Sequence, residues 1–182
     1  MKLITKRLII REIRNKDKKD LLKNINDLDV SRNLLVVPYP YKNKDAEWWI
    51  NKCEKEAKEK PRKNYNLIIE LKSKKVLIGG VGLVKVDRFQ GTAEVGYWLG
   101  KNYWRKGFMS ETLKAILNFA FKKLKLRRMN LDTFRENKAS SNLAKKNGFK
   151  FEGVKRKSVR SKADGKIHDD KIYGLLKEDW LK

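Results

Sequence analysis

The feature that most constrains the fold of this chain is an abrupt change of hydrophobic period around Gly107. Apolar residues recur at every second position across residues 93–99, which is the period of a strand. From Met109 to Phe121 they recur at every third or fourth position, which is the period of a helix. The sequence therefore predicts a strand that turns directly into an amphipathic helix, with Gly107 in the turn.

A helix that begins at such a turn is suited to binding an anion. Its first turn leaves peptide N–H groups unpaired and carries partial positive charge, and a glycine lets a phosphate approach the backbone. Arg105 and Lys106 add positive charge at the same place. The sequence has no Walker A motif, and Gly80-Val-Gly82 lacks the third glycine of a dinucleotide fingerprint. The segment predicts a pyrophosphate site; the alternative is an ordinary strand-to-helix connection.

Periodicity also predicts the remaining elements of the fold. Strands are expected over residues 6–14, 65–71, 76–86, 93–99, 129–134, 149–160 and 166–176, and further helices over residues 18–28, 44–60 and 139–146. Asp17 is expected to cap the first of these helices. The order of the elements predicts a mixed α/β (α+β) fold, with a central, mostly antiparallel sheet and helices on its faces.

Length and composition limit the domain organisation and the compartment. The 182 residues suit one domain over residues 1–182, large enough to bury a core without a disulfide or a structural metal. Cys53, the only cysteine, lies on the apolar stripe of a predicted helix, where we expect an inert buried thiol. The sequence begins without a signal-peptide pattern, and no apolar run reaches the ~20 residues of a membrane span. These features predict a cytoplasmic protein with no membrane contact and no metal.

The chain is strongly basic, with 46 Lys and Arg against 22 Asp and Glu and a net charge of +24. Such a surface attracts anions, nucleic acid among them. Basic residues occur in every segment, so a general compositional bias is one explanation. A local excess remains at Lys122, Lys123, Lys125, Arg127 and Arg128. This excess favours weak, non-specific association with nucleic acid or with the ribosome.

Motifs along nearly the whole chain carry a resemblance to a known family. In chain order they are Thr5-x-Arg7-Leu8-x-x-Arg11, Glu94-Val-Gly-Tyr-Trp-Leu99, Trp104-Arg-Lys-Gly-Phe-Met109, Asn137-x-x-Ser140, Lys146-x-Gly148-Phe149, and Asp170-Lys-Ile-Tyr173 through Glu178-Asp-Trp180. In this order and spacing the chain resembles the GCN5-related N-acetyltransferase (GNAT) superfamily, in the branch of the ribosomal-protein alanine N-acetyltransferases. Trp104 and Met109 depart from that branch's usual loop pattern, Gln/Arg-x-x-Gly-x-Gly/Ala, and Met109 is expected to narrow the loop.

The resemblance implies a GNAT fold and acetyl-CoA as the cosubstrate. By resemblance, backbone groups around Leu99 hold the pantetheine arm where two strands splay apart. The amides of residues 105–110 receive the pyrophosphate, and Asn137 forms a hydrogen bond with the cofactor. The implied cofactor-binding residues are Leu99, Arg105, Lys106, Gly107, Phe108, Met109, Ser110 and Asn137.

Two residues are candidates for proton transfer in the reaction of an amine with a thioester. Glu94 would act through water as the base; alternatively it is a strand residue paired with a lysine. Ser140 would donate to the leaving thiolate; alternatively it is a polar residue near the start of a helix. Among the other polar residues, Glu111 is expected to complement the helix dipole, His168 to lie exposed, and Tyr173 to lie in the core.

The sequence leaves several acceptors open. A protein N-terminal α-amine, as in ribosomal proteins, agrees with a charge of +24, which repels polyamines and aminoglycosides unless an acidic pocket attracts them. The alternatives are a small-molecule amine, or an inactive GNAT fold that binds nucleic acid. Eight aromatic residues could wall an acceptor pocket or simply fill the core. They are Tyr39, Tyr41, Trp48, Trp49, Tyr97, Trp98, Tyr103 and Trp104.

Overall fold

The computed structural model describes residues 1–181 and contains one mixed sheet flanked by helices. The strands are β1 (Lys2–Ile4), β2 (Leu8–Arg11), β3 (Tyr65–Leu71), β4 (Val76–Asp87), β5 (Thr92–Leu99), β6 (Arg128–Phe134), β7 (Lys150–Arg160) and β8 (Ile167–Leu176). The helices are α1 (Lys18–Ile25), α2 (Leu28–Ser31), α3 (Asn43–Ala57), α4 (Phe108–Asn118), α5 (Lys138–Lys146) and α6 (Lys177–Trp180). Among the described residues, no helix combines the length and apolarity needed to cross a bilayer.

The eight strands lie in the order β1-β2-β3-β4-β5-β6-β8-β7. All neighbours pair antiparallel except β5 and β6, which run parallel. One face packs against α4, whose helical spacing brings Leu113, Ile116 and Leu117 into the core. The other face packs against α1 and α3, with Leu21 and Ile50 among the buried residues. The predicted fold class is confirmed.

The N-terminal segment differs most from the prediction. The expected strand over residues 6–14 is confined to β2, and β1 precedes it across a turn in which the Thr5 amide donates to the Leu8 carbonyl at 3.0 Å. The helix expected over residues 18–28 ends at Ile25, because the side chain of Asp27 accepts from the Asp29 amide and so begins the separate helix α2. The helix expected over residues 44–60 ends at Ala57.

Asp17 precedes α1 as expected, but the prediction that its side chain caps the helix is wrong. Its carboxylate instead accepts two hydrogen bonds from the buried Arg11 guanidinium, both at 2.8 Å, and one from the Arg14 amide. Arg11 also donates to Glu70 on β3. A buried guanidinium needs such partners, and removing one of them typically costs about 3–5 kcal/mol. This network fastens the N-terminal strands to α1.

The parallel pair β5–β6 is the part of the sheet that positions the site. The two strands pair only from Thr92 opposite Arg128 to Glu94 opposite Asn130 among the described residues. Past that point β5 stays paired with β4 as far as Leu99, and β6 stays paired with β8 as far as Phe134. The two strands therefore separate, and an opening lies between them with α4 beyond the end of β5 and α5 beyond the end of β6.

Candidate active site

The turn between β5 and α4 has the backbone conformation of an anion-binding helix terminus. Gly107 immediately precedes α4 with a left-handed φ of 75°, and Arg105 has a φ of 60°. Glycine adopts this conformation freely, whereas an arginine does so at a cost in free energy. The Lys106 ammonium donates to the Asn102 carbonyl at 2.8 Å, which stabilises the turn. Arg105, Lys106 and Gly107 are all exposed to solvent.

Trp104 fixes the same turn to the end of the preceding strand. Its indole Nε1 donates to the Leu99 carbonyl at 2.8 Å. Trp104, one of the two residues that depart from the family pattern, thus has a structural role. Because the Leu99 carbonyl already has this partner, a cofactor that runs along β5 would bind neighbouring peptide groups.

The first turn of α4 presents its backbone to this loop. Phe108 and Met109 bury their side chains in the core, and Ser110 is half-buried. The prediction that Met109 narrows the loop is wrong, because its side chain packs into the core beneath the helix. The N–H groups of the first helical turn have no intrahelical partner, so they are the natural donors to an anion at this place.

Glu111 connects the N-terminal turn to the loop, a role that sequence reasoning missed. Its carboxylate accepts from the Thr5 hydroxyl at 2.6 Å, from the Arg7 amide at 2.8 Å and from Arg7 Nε at 2.7 Å. Arg7 also donates to the Lys106 carbonyl at 2.9 Å and lies over the Phe108 ring. Burial opposes ionisation, but the hydrogen bonds from Thr5 and Arg7 outweigh it and hold the pKa of Glu111 below its usual range.

Asn137 and Ser140 lie on the α5 side of the opening. The Asn137 side-chain oxygen accepts from the Ser140 amide at 3.0 Å, so Asn137 caps α5. The Ser140 hydroxyl lies 2.9 Å from the phenol oxygen of Tyr97, on β5 across the opening. Burial raises the pKa of Tyr97 to about 12, although the Ser140 hydrogen bond opposes the shift. This phenol therefore stays protonated at neutral pH.

Glu94 lies at the point where β5 and β6 separate. Its carboxylate forms an ion pair with Lys85 at 2.9 Å, as expected for a strand residue paired with a lysine. Its side chain is 38% exposed. Asp132, two residues beyond Asn130 on β6, lies on the same face. Burial, and then the charge of Glu94, raise the pKa of Asp132, although Lys155 opposes the shift. Sequence reasoning missed this second carboxylate, because only the strand register brings it near Glu94.

An apolar cavity of about 560 Å³ lies beside the same part of β5. Its floor includes Gly96, Tyr97 and Trp98, and its walls come from α1, α3 and residues 34–38. Of the eight aromatic residues considered for an acceptor pocket, five line it: Tyr41, Trp48, Trp49, Tyr97 and Trp98. Because β6 has already diverged from β5 here, the cavity borders the opening between the two strands.

Three other residues with reactive side chains are Cys53, Tyr173 and His168. Cys53 is buried as predicted, and burial raises its thiol pKa to about 12. Tyr173 is buried in the core, as predicted. His168 was predicted to be exposed, which is wrong: its ring stacks on Phe134 at 4.3 Å and its side chain is 13% exposed. The pairing of β6 with β8 brings these two rings together.

The site thus combines a helix terminus suited to an anion with an apolar cavity, both beside the opening between β5 and β6. Residues 7–150 match the family of acetyltransferase (GNAT) domains, so the chain belongs to the GNAT acetyltransferase family. It is an acetyl-CoA-dependent N-acetyltransferase.

Individual relatives agree with this assignment. The chain is 29% identical to the uncharacterized N-acetyltransferase p20 of Bacillus licheniformis over 98% of its own length and 97% of the relative. It is 32% identical to the ribosomal-protein-serine acetyltransferase of Escherichia coli over 40% of this chain and 41% of the relative. A GNAT-family acetyltransferase structure from Bacillus anthracis superposes with a TM-score of 0.82 at 26% identity, covering 98% of this chain and 99% of that one. The spermidine N-acetyltransferase of Vibrio cholerae, solved with CoA and spermine, has the same fold with a TM-score of 0.80 at 21% identity, covering 97% of this chain and 99% of that one.

Proposed function

We propose that this enzyme transfers the acetyl group of acetyl-CoA to a protein N-terminal α-amine. The observation that carries the proposal is the opening between β5 and β6, which has the α4 terminus on one side and the apolar cavity on the other. The α4 side offers helix amides and basic residues for a pyrophosphate. The cavity side offers a concave, mainly apolar space for an acceptor.

In this proposal the cofactor is held mainly by backbone groups. The amides of residues 105–110 bind the pyrophosphate, and the Arg105 and Lys106 side chains neutralise its charge. The pantetheine amides pair with the edge of β5 that β6 has left, ending near Leu99. The side-chain oxygen of Asn137 already caps α5, so its contact with the cofactor comes from its amide nitrogen.

The reaction needs one proton acceptor and one proton donor. A neutral amine attacks the thioester carbonyl, so that a C–N bond forms, the C–S bond breaks and the thiolate leaves. Glu94 accepts the ammonium proton through water, and backbone N–H groups stabilise the oxyanion. Ser140 donates its proton to the departing sulfur, supported by the Tyr97 phenol at 2.9 Å. The second proton that the amine nitrogen loses when it becomes an amide restores the Ser140 hydroxyl.

The protein acceptor is favoured by charge and by a relative. The net charge of +24 disfavours approach of a polycation such as spermine. The Escherichia coli relative is named for acetylation of a ribosomal protein. A small-molecule amine is the second candidate, because a cavity of about 560 Å³ has the size of a small-ligand pocket.

Acetyl transfer to N-terminal peptides in the presence of acetyl-CoA tests the proposal, and Glu94→Gln tests the base. We expect the variant to lower kcat/KM by roughly 100-fold near neutral pH, with recovery as the pH rises toward the pKa of the amine. At high pH the amine is already neutral and needs no base. Asp132→Asn is the matched comparison: it removes the neighbouring carboxylate and should have the smaller effect.

Two results would contradict this proposal at different points. If acetyl-CoA produced neither calorimetric heat nor a rise in Tm, the cofactor site would be wrong, since any ligand selective for the native state stabilises it. If Glu94→Gln kept the wild-type pH–rate profile, Glu94 would be a strand residue paired with Lys85 and no more.

A further inference from the structure

The cavity beside β5 is lined mainly by apolar side chains, which limits the charge of a ligand that it can bind. Among the described residues that line it, the charged side chains are Asp45 and Lys162, one of each sign. The Asp45 carboxylate also accepts from the Lys42 amide at 2.8 Å, at the start of α3. A polyamine would place several ammonium groups here with one carboxylate to meet them, and unpaired buried charge is costly. The lining therefore disfavours polycations and favours apolar groups.

Glycines make room at the floor of the cavity. Gly80, Gly82 and Gly96 lie on the same face of β4 and β5. A Cβ at Gly80 would lie 2.6 Å from Trp98 Nε1, and one at Gly82 would lie 3.2 Å from Asn66 Oδ1. The space above these two glycines is therefore already occupied by neighbouring side chains. A Cβ at Gly96 would meet nothing within 4 Å. The free space is therefore at Gly96, two residues beyond Glu94 on the same face.

The outer wall is a loop rather than a core layer. Residues 34–38 lie between α2 and α3, and Leu35 and Val36 are 44% and 61% exposed although they also line the cavity. The Lys162 amide, in the β7–β8 turn, donates to the Leu35 carbonyl at 3.1 Å. Trp48 on α3 is 62% exposed beside this wall. Large apolar side chains that are partly exposed around a concave space are typical of a binding pocket.

Taking the proposed acetyl transfer as its basis, we infer that the acceptor is a primary amine whose neighbouring carbon carries a large apolar group, such as an N-terminal leucine or phenylalanine. The amine lies at the opening near Glu94, and the apolar group enters the cavity over Gly96. Glu94 and Gly96 are neighbours on one face of β5. An amine and a side chain that are bonded to the same carbon atom can therefore reach Glu94 and the cavity at the same time.

Four tripeptides that differ only in the first residue test this inference: Gly-Ala-Ala, Ser-Ala-Ala, Leu-Ala-Ala and Phe-Ala-Ala. Burial of a full apolar side chain is expected to raise kcat/KM for the leucine and phenylalanine peptides roughly 10- to 100-fold over the glycine peptide. Phenylethylamine and spermine complete the set. A higher kcat/KM for phenylethylamine than for Phe-Ala-Ala would mean that the acceptor is a small amine with an apolar group rather than a protein N-terminus.

Filling the cavity should remove this preference. Gly96→Leu places a side chain in the free space, so we expect the phenylalanine-to-glycine ratio of kcat/KM to fall at least 10-fold. Phe89→Ala is the matched control, since Phe89 is 93% exposed in the β4–β5 turn and should leave the ratio unchanged. Tryptophan fluorescence gives a readout that needs no variant: phenylalaninamide should change it saturably through Trp49 and Trp98, and glycinamide should not.

The outcomes separate this inference from the function on which it rests. Equal or better turnover of the glycine, serine or spermine substrates would overturn the apolar acceptor and leave acetyl transfer intact. Absence of transfer to every amine, with acetyl-CoA bound, would overturn the proposed function and this inference with it. A Gly96→Leu enzyme that binds acetyl-CoA and keeps the wild-type preference would also overturn the inference.

Discussion

The loop that we propose for the cofactor and the cavity that we propose for the acceptor both adjoin β5, but they are built in opposite ways. The loop is a continuous stretch, residues 104–111, that offers mainly peptide groups and the positive end of α4. The cavity is assembled from side chains of several distant segments, among them residues 34–38, α3, β4, β5 and the β7–β8 turn. A pyrophosphate is the same in every acetyl-CoA, and a backbone site suits it. An acceptor varies, and a side-chain site can vary with it.

This contrast predicts two kinds of response to substitution. In the loop, a change of backbone conformation should matter more than a change of side-chain chemistry. In the cavity, the volume of a side chain should matter more than its effect on the backbone. The Gly96→Leu test above addresses the cavity, and the following variants address the loop and its surroundings.

The largest effect is expected at Gly107. A β-branched residue is strained at a φ of 75°, and its side chain would stand between the helix amides and a pyrophosphate. We expect Gly107→Val to raise the Kd for acetyl-CoA by about 100-fold or more, as measured by calorimetry, which is about 2.7 kcal/mol. The matched control is Gly165→Val in the β7–β8 turn, where φ is 72°.

The two glycine variants separate backbone strain from obstruction of the site. Both carry the same conformational penalty, so both should lower the Tm. A Cβ at Gly165 would meet nothing within 4 Å, and Gly165 lies outside residues 104–111, so Gly165→Val should keep the wild-type Kd. Unchanged binding in Gly107→Val would show that the cofactor does not use this helix terminus, and the contrast between the two regions would be lost.

A smaller effect is expected from Glu111→Gln, which weakens the connection from the N-terminal turn to the loop. Loss of the ion pair with Arg7 should cost about 1–2 kcal/mol of stability and loosen the Lys106 carbonyl contact. We expect the Kd for acetyl-CoA to rise roughly 10-fold, about 1.4 kcal/mol. Glu152→Gln is the control: it breaks a similar pair with Arg128 on the sheet and should leave the Kd unchanged.

The same variant predicts a pH dependence of stability. The pKa of Glu111 is lowered in the folded protein, so its contribution is complete above the unfolded value, about 4.3. The contribution is lost as the pH falls through the lower folded value. The difference in Tm between wild type and Glu111→Gln should therefore be full at pH 7 and shrink below about pH 4. A difference that stayed constant over this range would show that ionisation of Glu111 plays no part.

The same contrast explains how much could be predicted from the sequence. The turn at Gly107 and the helix that follows it depend on neighbours within a few residues, and local patterns indicated both. The Asn137 cap of α5 is just as local, but the sequence analysis did not predict it. The order of strands and helices followed from hydrophobic period in the same way. The family motifs then predicted that the loop binds the pyrophosphate of the cofactor, which periodicity alone left open.

Contacts between distant residues could not be predicted in this way. Glu111 and Arg7 lie 104 positions apart, and Tyr97 and Ser140 lie 43 apart. Their meeting depends on strand order and register, which no local pattern specifies. The burial of His168 could not be predicted for the same reason. Its polar sequence neighbours suggested exposure, but the register of β6 with β8 places it on the Phe134 ring.

The smallest effect on the affinity for acetyl-CoA is expected at the basic cluster that follows α4 and its helical continuation to Lys123. Lys122, Lys123 and Lys125 are exposed where the chain leaves this helix for β6. The helical segment from Phe108 to Lys123 is roughly 20–25 Å long at 1.5 Å per residue, which separates the cluster from the cofactor loop. That distance exceeds the Debye length of about 10 Å at 0.1 M salt, so the two regions should bind anions independently.

We therefore expect weak, sequence-independent binding of RNA that disappears as salt rises and does not compete with acetyl-CoA. Changing Lys122, Lys123 and Lys125 to Glu should abolish the binding, measured by fluorescence anisotropy, and leave acetyl-CoA affinity unchanged. The control triple makes the same charge change in a segment where acidic residues alternate with the lysines: Lys55→Glu, Lys58→Glu and Lys60→Glu. Equal losses in the two triples would mean that net charge alone attracts RNA. Competition between RNA and acetyl-CoA would place the RNA site at the loop itself, where Arg105 and Lys106 would then serve both anions.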